Sequence, residues 1–206
     1  MVVGCWLLVV GCLLQIEISF RQNDCGGEVI NIYKEKVNNI RDSIIIYGGG
    51  FPLHLPEKRF FNAYIQEEGD YGVSNGYSLE EKMKSIENTI NSFIQNGNKV
   101  ILIYPIPEQG WNVRKLYISE TIPWSKDLGY SYNIFKNRTQ TSYDVLDSIS
   151  SKDLYRVYPE NIFCSTFIRN QCVGKFKDKL FYQDDDHLAP DGEELLSQEI
   201  LKVLEL

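Results

Sequence analysis

Apolar and polar positions recur along this chain with two periods, and its elements follow from them. Between residues 78 and 96, Met83, Ile86, Ile90, Phe93 and Ile94 fall at helical spacing, which predicts an amphipathic helix. Ser78 and Glu81 fit a capping box at its start, Glu80 and Glu81 suit the positive end of its dipole, and Gly97 suits its end. Residues 44–47 and 99–104 are short β-branched runs, as expected of strands buried on both faces. Gly48, Gly49 and Gly50 close the first run, and Pro105 and Pro107 halt the second. Helical spacing recurs over residues 28–41, 143–154 and 190–206, with Pro190 in the first turn of the last. Residues 155–158 and 179–182 read as short extended pieces. Residues 51–77 read as one long irregular segment, and residues 108–140 as mixed, with Trp111 and Trp124 in loops. Helices alternating with strands predict an α/β domain with a parallel sheet and helices on both faces. The glycines after residue 47, Pro105–Glu108 and the loop after residue 182 would then gather beyond the strand C-termini, where such sheets bind ligands.

The apolar run at residues 1–14 has the look of a signal peptide, but no Lys or Arg precedes it, and it is short for a membrane span. Val9, Val10, Gly11 and Cys12 look like a lipoprotein cleavage site, yet the apolar run continues beyond Cys12. A buried strand with flanking turns is the reading taken. No internal repeat or low-complexity linker interrupts the chain, and its 206 residues suit one domain.

Net charge of −7 and a pI near 5.0 exclude the basic footprint that nucleic acid requires. The many Tyr and Phe side chains suit an ordinary core as well as a carbohydrate-facing surface. Cys164 and Cys172 flank a short loop and Cys12 and Cys25 a longer one, which leaves Cys5 over. Two local disulfides would indicate an oxidising compartment, and five reduced thiols a cytoplasmic one. Asn137, Arg138 and Thr139 match a glycosylation sequon, a match common by chance.

The chemistry-bearing stretch lies near the end, where Asp184 stands three residues before His187, one of two histidines. Acyl chemistry near neutral pH needs an imidazole and a carboxylate that fixes its tautomer, and this spacing supplies both from one tight loop. Asp185 and Asp186 read as a solvated acidic turn. Three contiguous aspartates cannot all face one ion, so no metal and no other cofactor is expected. His54 has no obvious carboxylate neighbour and reads as a loop residue.

Residues 99–108, a hydrophobic strand followed by Pro-x-Pro-Glu, resemble a segment of SGNH-hydrolase domains. So does the stretch with Cys164, Cys172, Phe181, Tyr182, Asp184, His187, Leu188 and Gly192. The chain is similar in particular to the SGNH domains attached to integral-membrane acyltransferase-3 proteins, the O-acetylases of cell-surface polysaccharide, lipopolysaccharide and peptidoglycan. That resemblance implies a flavodoxin-like three-layer α/β/α sandwich with a mostly parallel sheet and a Ser-His-Asp centre. It gives His187 the role of general base and acid, and Asp184 that of its orienting carboxylate. It also implies that Gly11 to Cys25 is the family's cysteine-containing segment after the first helix.

The family's Gly-Asp-Ser, which carries the nucleophile at the end of the first strand, does not occur here. Ser43 of Arg41-Asp42-Ser43 precedes its strand, at the wrong end of a sheet to replace it. The first strand and nucleophile turn are therefore expected to be missing, as in an N-terminally truncated domain, and the chain alone is expected not to turn over esters. Backbone N–H groups of Gly48 and Gly49 are candidates for the oxyanion hole. The expected activity is transfer of an acetyl-type group to or from a glycan hydroxyl, with the serine supplied from outside this chain. The expected partners are a glycan or acylated carbohydrate and an upstream integral-membrane acyltransferase domain, and the expected place is the periplasm or the extracytoplasmic face of the bacterial inner membrane. The competing readings are a non-catalytic glycan-binding or scaffold module and a carbohydrate esterase lipoprotein anchored at Cys12.

Overall fold

The computed structural model describes residues 3–10, 14–20, 39–49, 51–54, 59–62, 67–69, 78–118 and 127–204. In chain order its elements begin with β1 (Val3–Val10), β2 (Leu14–Phe20), β3 (Ile44–Gly49) and α1 (Phe51–His54). Next come β4 (Arg59–Asn62), β5 (Glu67–Gly69), α2 (Leu79–Gln95), β6 (Lys99–Ile103) and α3 (Val113–Ile118). There follow β7 (Leu128–Ser131), α4 (Tyr132–Ser148), β8 (Leu154–Val157), α5 (Glu160–Phe163), β9 (Gln171–Phe176), β10 (Lys179–Leu180) and α6 (Pro190–Leu204). The fold is α/β. The chain divides into two compact units, one of Met1–Phe51, Ser74–Tyr104 and Tyr143–Val157, the other of Pro52–Val73, Pro105–Ser142 and Tyr158–Leu206. Among the described residues, no helix is long and apolar enough to cross a membrane.

The first unit is built on a sheet of order β2-β1-β3-β6-β8. β3, β6 and β8 are parallel, with Ile44 opposite Lys99 and Ile103 opposite Val157. Their continuous apolar runs are buried: Ile45, Val100 and Leu102 are wholly removed from solvent, each contributing roughly 2 kcal/mol. The parallel order expected from the sequence holds for these strands. The apolar run at the start of the chain forms β1, but β1 is antiparallel to β3 and to β2. A connection as short as that between Val10 and Leu14 joins antiparallel neighbours, because a parallel pair needs a long crossover. β3 also runs on through Gly48 and Gly49, where a turn was expected.

Helix α2 forms as its pattern predicts. The Ser78 hydroxyl accepts the Glu81 N–H, and the Glu81 carboxylate accepts the Ser78 N–H in return. Ile90 and Phe93 are its buried residues, and Phe93 meets the Tyr47 ring edge-on at 6.0 Å. Beyond its end, Gly97 takes φ of +81°, a left-handed turn that favours glycine. The buried Asn98 then ties three backbone segments together. Its Oδ1 accepts the Ser43 N–H at 3.0 Å, and its amide donates to the carbonyls of Ile40 at 3.0 Å and Phe93 at 2.9 Å.

The second unit contains an antiparallel sheet of order β10-β9-β7 and the β4–β5 hairpin. Its core gathers Val113, Leu128, Ile162, Phe163, Val173, Phe181, Tyr182 and Leu188. The hairpin and α1 lie within the segment read as irregular, β7 lies within the stretch read as mixed, and β9 begins in the loop read between Cys164 and Cys172. Helix α4 begins eleven residues before the expected position 143. Its buried positions include Phe135, Arg138, Thr139, Ser142, Val145 and Leu146, so the helical period is present but half its inward face is polar. Thr139 of the sequon is buried and donates its hydroxyl to the Phe135 carbonyl, whereas Asn137 is exposed. The expected helix over residues 28–41 and Trp124 fall largely or wholly outside the described residues.

Asn98→Ala strands the half-buried Ser43 N–H and withdraws donors from two carbonyls, at an expected cost of about 2–3 kcal/mol. Ser78→Ala removes an exposed cap and is expected to cost about 1 kcal/mol. Urea unfolding of both variants checks the order, and an equal or reversed ranking would contradict this account of Asn98.

Candidate functional site

The site lies within the second unit, on the loop between β10 and α6. Its floor is aromatic. Phe181 and Tyr182 are fully buried, and Phe163 packs against both, with ring centroids 5.8 and 5.6 Å away. Phe167 covers Phe181 from another side at 4.7 Å. Cys164 follows Phe163 directly and is joined to Cys172 on β9 by a disulfide. The bridge therefore clamps the segment that carries Phe163 and Phe167. Cys12 and Cys25, the other proposed pair, lie outside the described residues.

Between these anchors the loop is closed at its neck. The Ala189 N–H donates to the Phe181 carbonyl at 2.8 Å, the Gln183 N–H donates to the His187 carbonyl at 2.9 Å, and Tyr182 pairs with Leu188. Asp191, in the first turn of α6, accepts the Leu180 N–H at 2.9 Å. Gly192 sits where a Cβ would lie 2.3 Å from the Phe181 oxygen, so the helix reaches the neck only without a side chain there. From the outside, the Gln109 N–H donates to the Asp185 carbonyl at 2.7 Å and the Val113 N–H to the Asp184 carbonyl at 3.2 Å. The segment after Pro-x-Pro-Glu thus holds the acidic loop by its backbone.

The Asp184 carboxylate has two tasks. Its Oδ1 accepts the N–H groups of His187 at 2.7 Å and Asp186 at 3.1 Å, which shapes the turn. Its Oδ2 lies 2.8 Å from His187 Nδ1. Burial works to raise the Asp184 carboxyl, but those two N–H groups and the imidazole outweigh it and hold the group below its usual range. Asp186 Oδ1 lies 2.9 Å from the same ring nitrogen. Burial chiefly pushes the Asp186 carboxyl up to about 6, against the pull of His187 and with the help of Asp185, Asp184 and Glu108. Burial works to lower His187, but Asp186 first, and then Asp184 and Asp185, more than offset it and raise the imidazole above its ordinary value. With Nδ1 turned to carboxylates, Nε2 is the nitrogen left to exchange a proton with a reactant.

The structure thus brings Asp184 and His187 together in hydrogen-bonding contact. It places Gly48 and Gly49 in the other unit, as the last residues of β3, and His54 at the end of α1. Asp186 was read as part of a solvated turn and is instead mostly buried against the imidazole; its signal was adjacency to the histidine, which spacing rules ignore. Gln109 carried no signal beyond following Pro-x-Pro-Glu. Asp184, Asp186 and His187 also offer ligand atoms within 4.8 Å of one another, a grouping that attracts cations in general; here the protonated imidazole can itself supply the positive charge.

A family model described as SGNH domain (fused to AT3 domains) matches residues 9–202. The chain belongs to that family, and is thereby a hydrolase-like module of the kind associated with AT3 acyltransferase domains. Its α/β fold, with β3, β6 and β8 parallel, agrees with the flavodoxin-like architecture that the resemblance implied. No curated protein and no solved structure matches the chain.

Gly192→Ala would force α6 and the loop neck apart, at an expected cost of about 1–3 kcal/mol. Amide resonances of residues 181–189 should shift with it. A variant within about 0.5 kcal/mol of wild type, with those resonances unmoved, would show that the neck tolerates the extra carbon.

Proposed function

We propose that this domain serves acyl transfer at the extracytoplasmic face of a bacterial inner membrane, moving an acetyl-type group to or from a glycan hydroxyl. The observation that carries the reading is the Asp184–His187 contact at Nδ1, which fixes the imidazole with Nε2 outward. Membership of a family fused to AT3 domains supports acyl chemistry and a membrane acyltransferase partner. The Cys164–Cys172 disulfide supports an oxidising compartment.

In this reading the nucleophile is a serine outside these 206 residues, since no Gly-Asp-Ser occurs within them. His187 Nε2 takes the serine hydroxyl proton as the serine oxygen bonds to the acyl carbon. The bond from that carbon to the donor oxygen breaks, and the imidazolium returns its proton to the leaving oxygen. A glycan hydroxyl then takes the acyl group by the same steps, with water in its place for hydrolysis. Asp184 orients the ring and stabilises its charged form. Gly48 and Gly49, the other candidates, are strand residues of β3 opposite Trp6 and Cys5 of β1. Gly48 also has a packing reason to lack a side chain, because a Cβ there would meet the Ile103 Cβ at 2.9 Å. A glycan-binding role without turnover is the second reading, favoured by the missing Gly-Asp-Ser.

The test uses membranes carrying the complete gene product and follows radiolabelled acetyl incorporation into envelope glycan. His187→Ala is expected to lower the rate roughly a thousandfold or more, and Asp184→Asn by roughly a hundredfold or more. Activity within about threefold of wild type in His187→Ala would leave the binding reading in its place. A general base must be neutral, so the rate should rise with pH through the imidazole's own titration. Because His187 is raised, that acid limb is expected above pH 6.5; a limb at or below that value would contradict the geometry's effect on the ring.

A further inference from the structure

The geometry points to Asp186 as a second positioning residue, which shares the Nδ1 edge of His187 with Asp184 and helps to set the ring's affinity for its proton. This rests on the reading of His187 as the proton-transfer group. Asp186 Oδ1 lies 2.9 Å from Nδ1, against 2.8 Å for Asp184 Oδ2. One Nδ1–H therefore faces two carboxylates, only one of which the spacing motif includes. Each has a different commitment. Asp184 spends its other oxygen on the backbone N–H groups of the turn, and is part of the loop's construction. Asp186 gives its backbone N–H to that turn and sets its carboxylate against the ring nitrogen.

The surroundings favour such a response. The charged groups facing Asp186 include His187, Asp185 and Asp184 from its own loop and Glu108 from the segment after β6. Glu108 is held by the buried Arg138 of α4 at 2.8 Å, which limits the negative field it adds. The imidazolium is in direct contact with Asp186, and Asp186 makes the largest upward contribution to the His187 titration. Its own titration near pH 6 puts the two groups close enough to be coupled. A residue that merely completed the turn would leave the ring's titration unchanged when neutralised.

The chain has two histidines, so each imidazole can be assigned by proton NMR from a single His54→Gln variant. The experiment titrates the full chain, wild type and Asp186→Asn, and reads the His187 ring. Asp186→Asn is expected to lower the midpoint by about one unit or more, the effect of one adjacent charge, and to remove a secondary inflection near pH 6. Asp186→Glu, which keeps the charge, is expected to restore most of the shift. Should Asp186→Asn fail to fold, an Asp186→Ser variant asks the same question. A His187 midpoint unchanged in a folded, neutralised variant would overturn the proposal. No acyl substrate enters this measurement, so the proposal can fail while the acyl-transfer reading stands, and the reverse.

Discussion

The site depends on one carboxylate bonding in two directions. Asp184 uses one oxygen to bind the amides two and three residues ahead and the other to bind the ring of the residue three ahead. The D-x-x-H spacing has a physical meaning here. Three residues is the distance at which a side chain can cap its own turn and still find the next functional ring folded back beside it. The loop and the Asp184–His187 contact form together, and the histidine does not have to be positioned separately. The same N–H groups that build the turn keep Asp184 ionised, because hydrogen bonds to the charged form outweigh the cost of its burial.

That arrangement is only as rigid as its footing. The aromatic pair at Phe181 and Tyr182 is held from one side by Phe163 and Phe167, which the disulfide confines. From the other side α6 closes against the Phe181 carbonyl, which only a glycine at position 192 permits. The amides of Gln109 and Val113 hold the loop carbonyls, so Asp184 and Asp185 cannot rotate away from their turn. These supports come from segments distant in sequence, and they account for side chains that touch no proposed reactant.

The parts legible in the sequence were those whose period and chemistry agreed. Helix α2 announced itself through a clean apolar stripe and a capping box, and β3 and β6 through unbroken runs of Ile, Val and Leu. The first half of α4 was hidden because Arg138, Thr139 and Ser142 occupy its inward face, so a buried stripe reads as a polar one. β9 was hidden in the same way: Gly174 and Lys175 stand in its buried pattern, and Val173 is its one aliphatic side chain. Asp184 and His187 were legible because a spacing rule joins them. Asp186 was not, since its closeness to the ring follows from the turn that Asp184 builds rather than from any pattern of its own.

The acidic setting of His187 carries a trade. A ring beside carboxylates holds a proton more tightly, so it is the stronger base once deprotonated but is less often deprotonated at neutral pH. Asp184, held below the usual carboxylate range, is ionised near neutral pH and favours the imidazolium there. Asp186, pushed up to about 6, is mostly ionised at pH 7 and adds its stabilisation to the charged ring. Toward pH 6 it takes up a proton itself and that contribution lapses. The ion pair between Arg138 and Glu108 matters to this balance, because Glu108 without its guanidinium would push the Asp186 titration still higher and withdraw its charge from the ring at neutral pH.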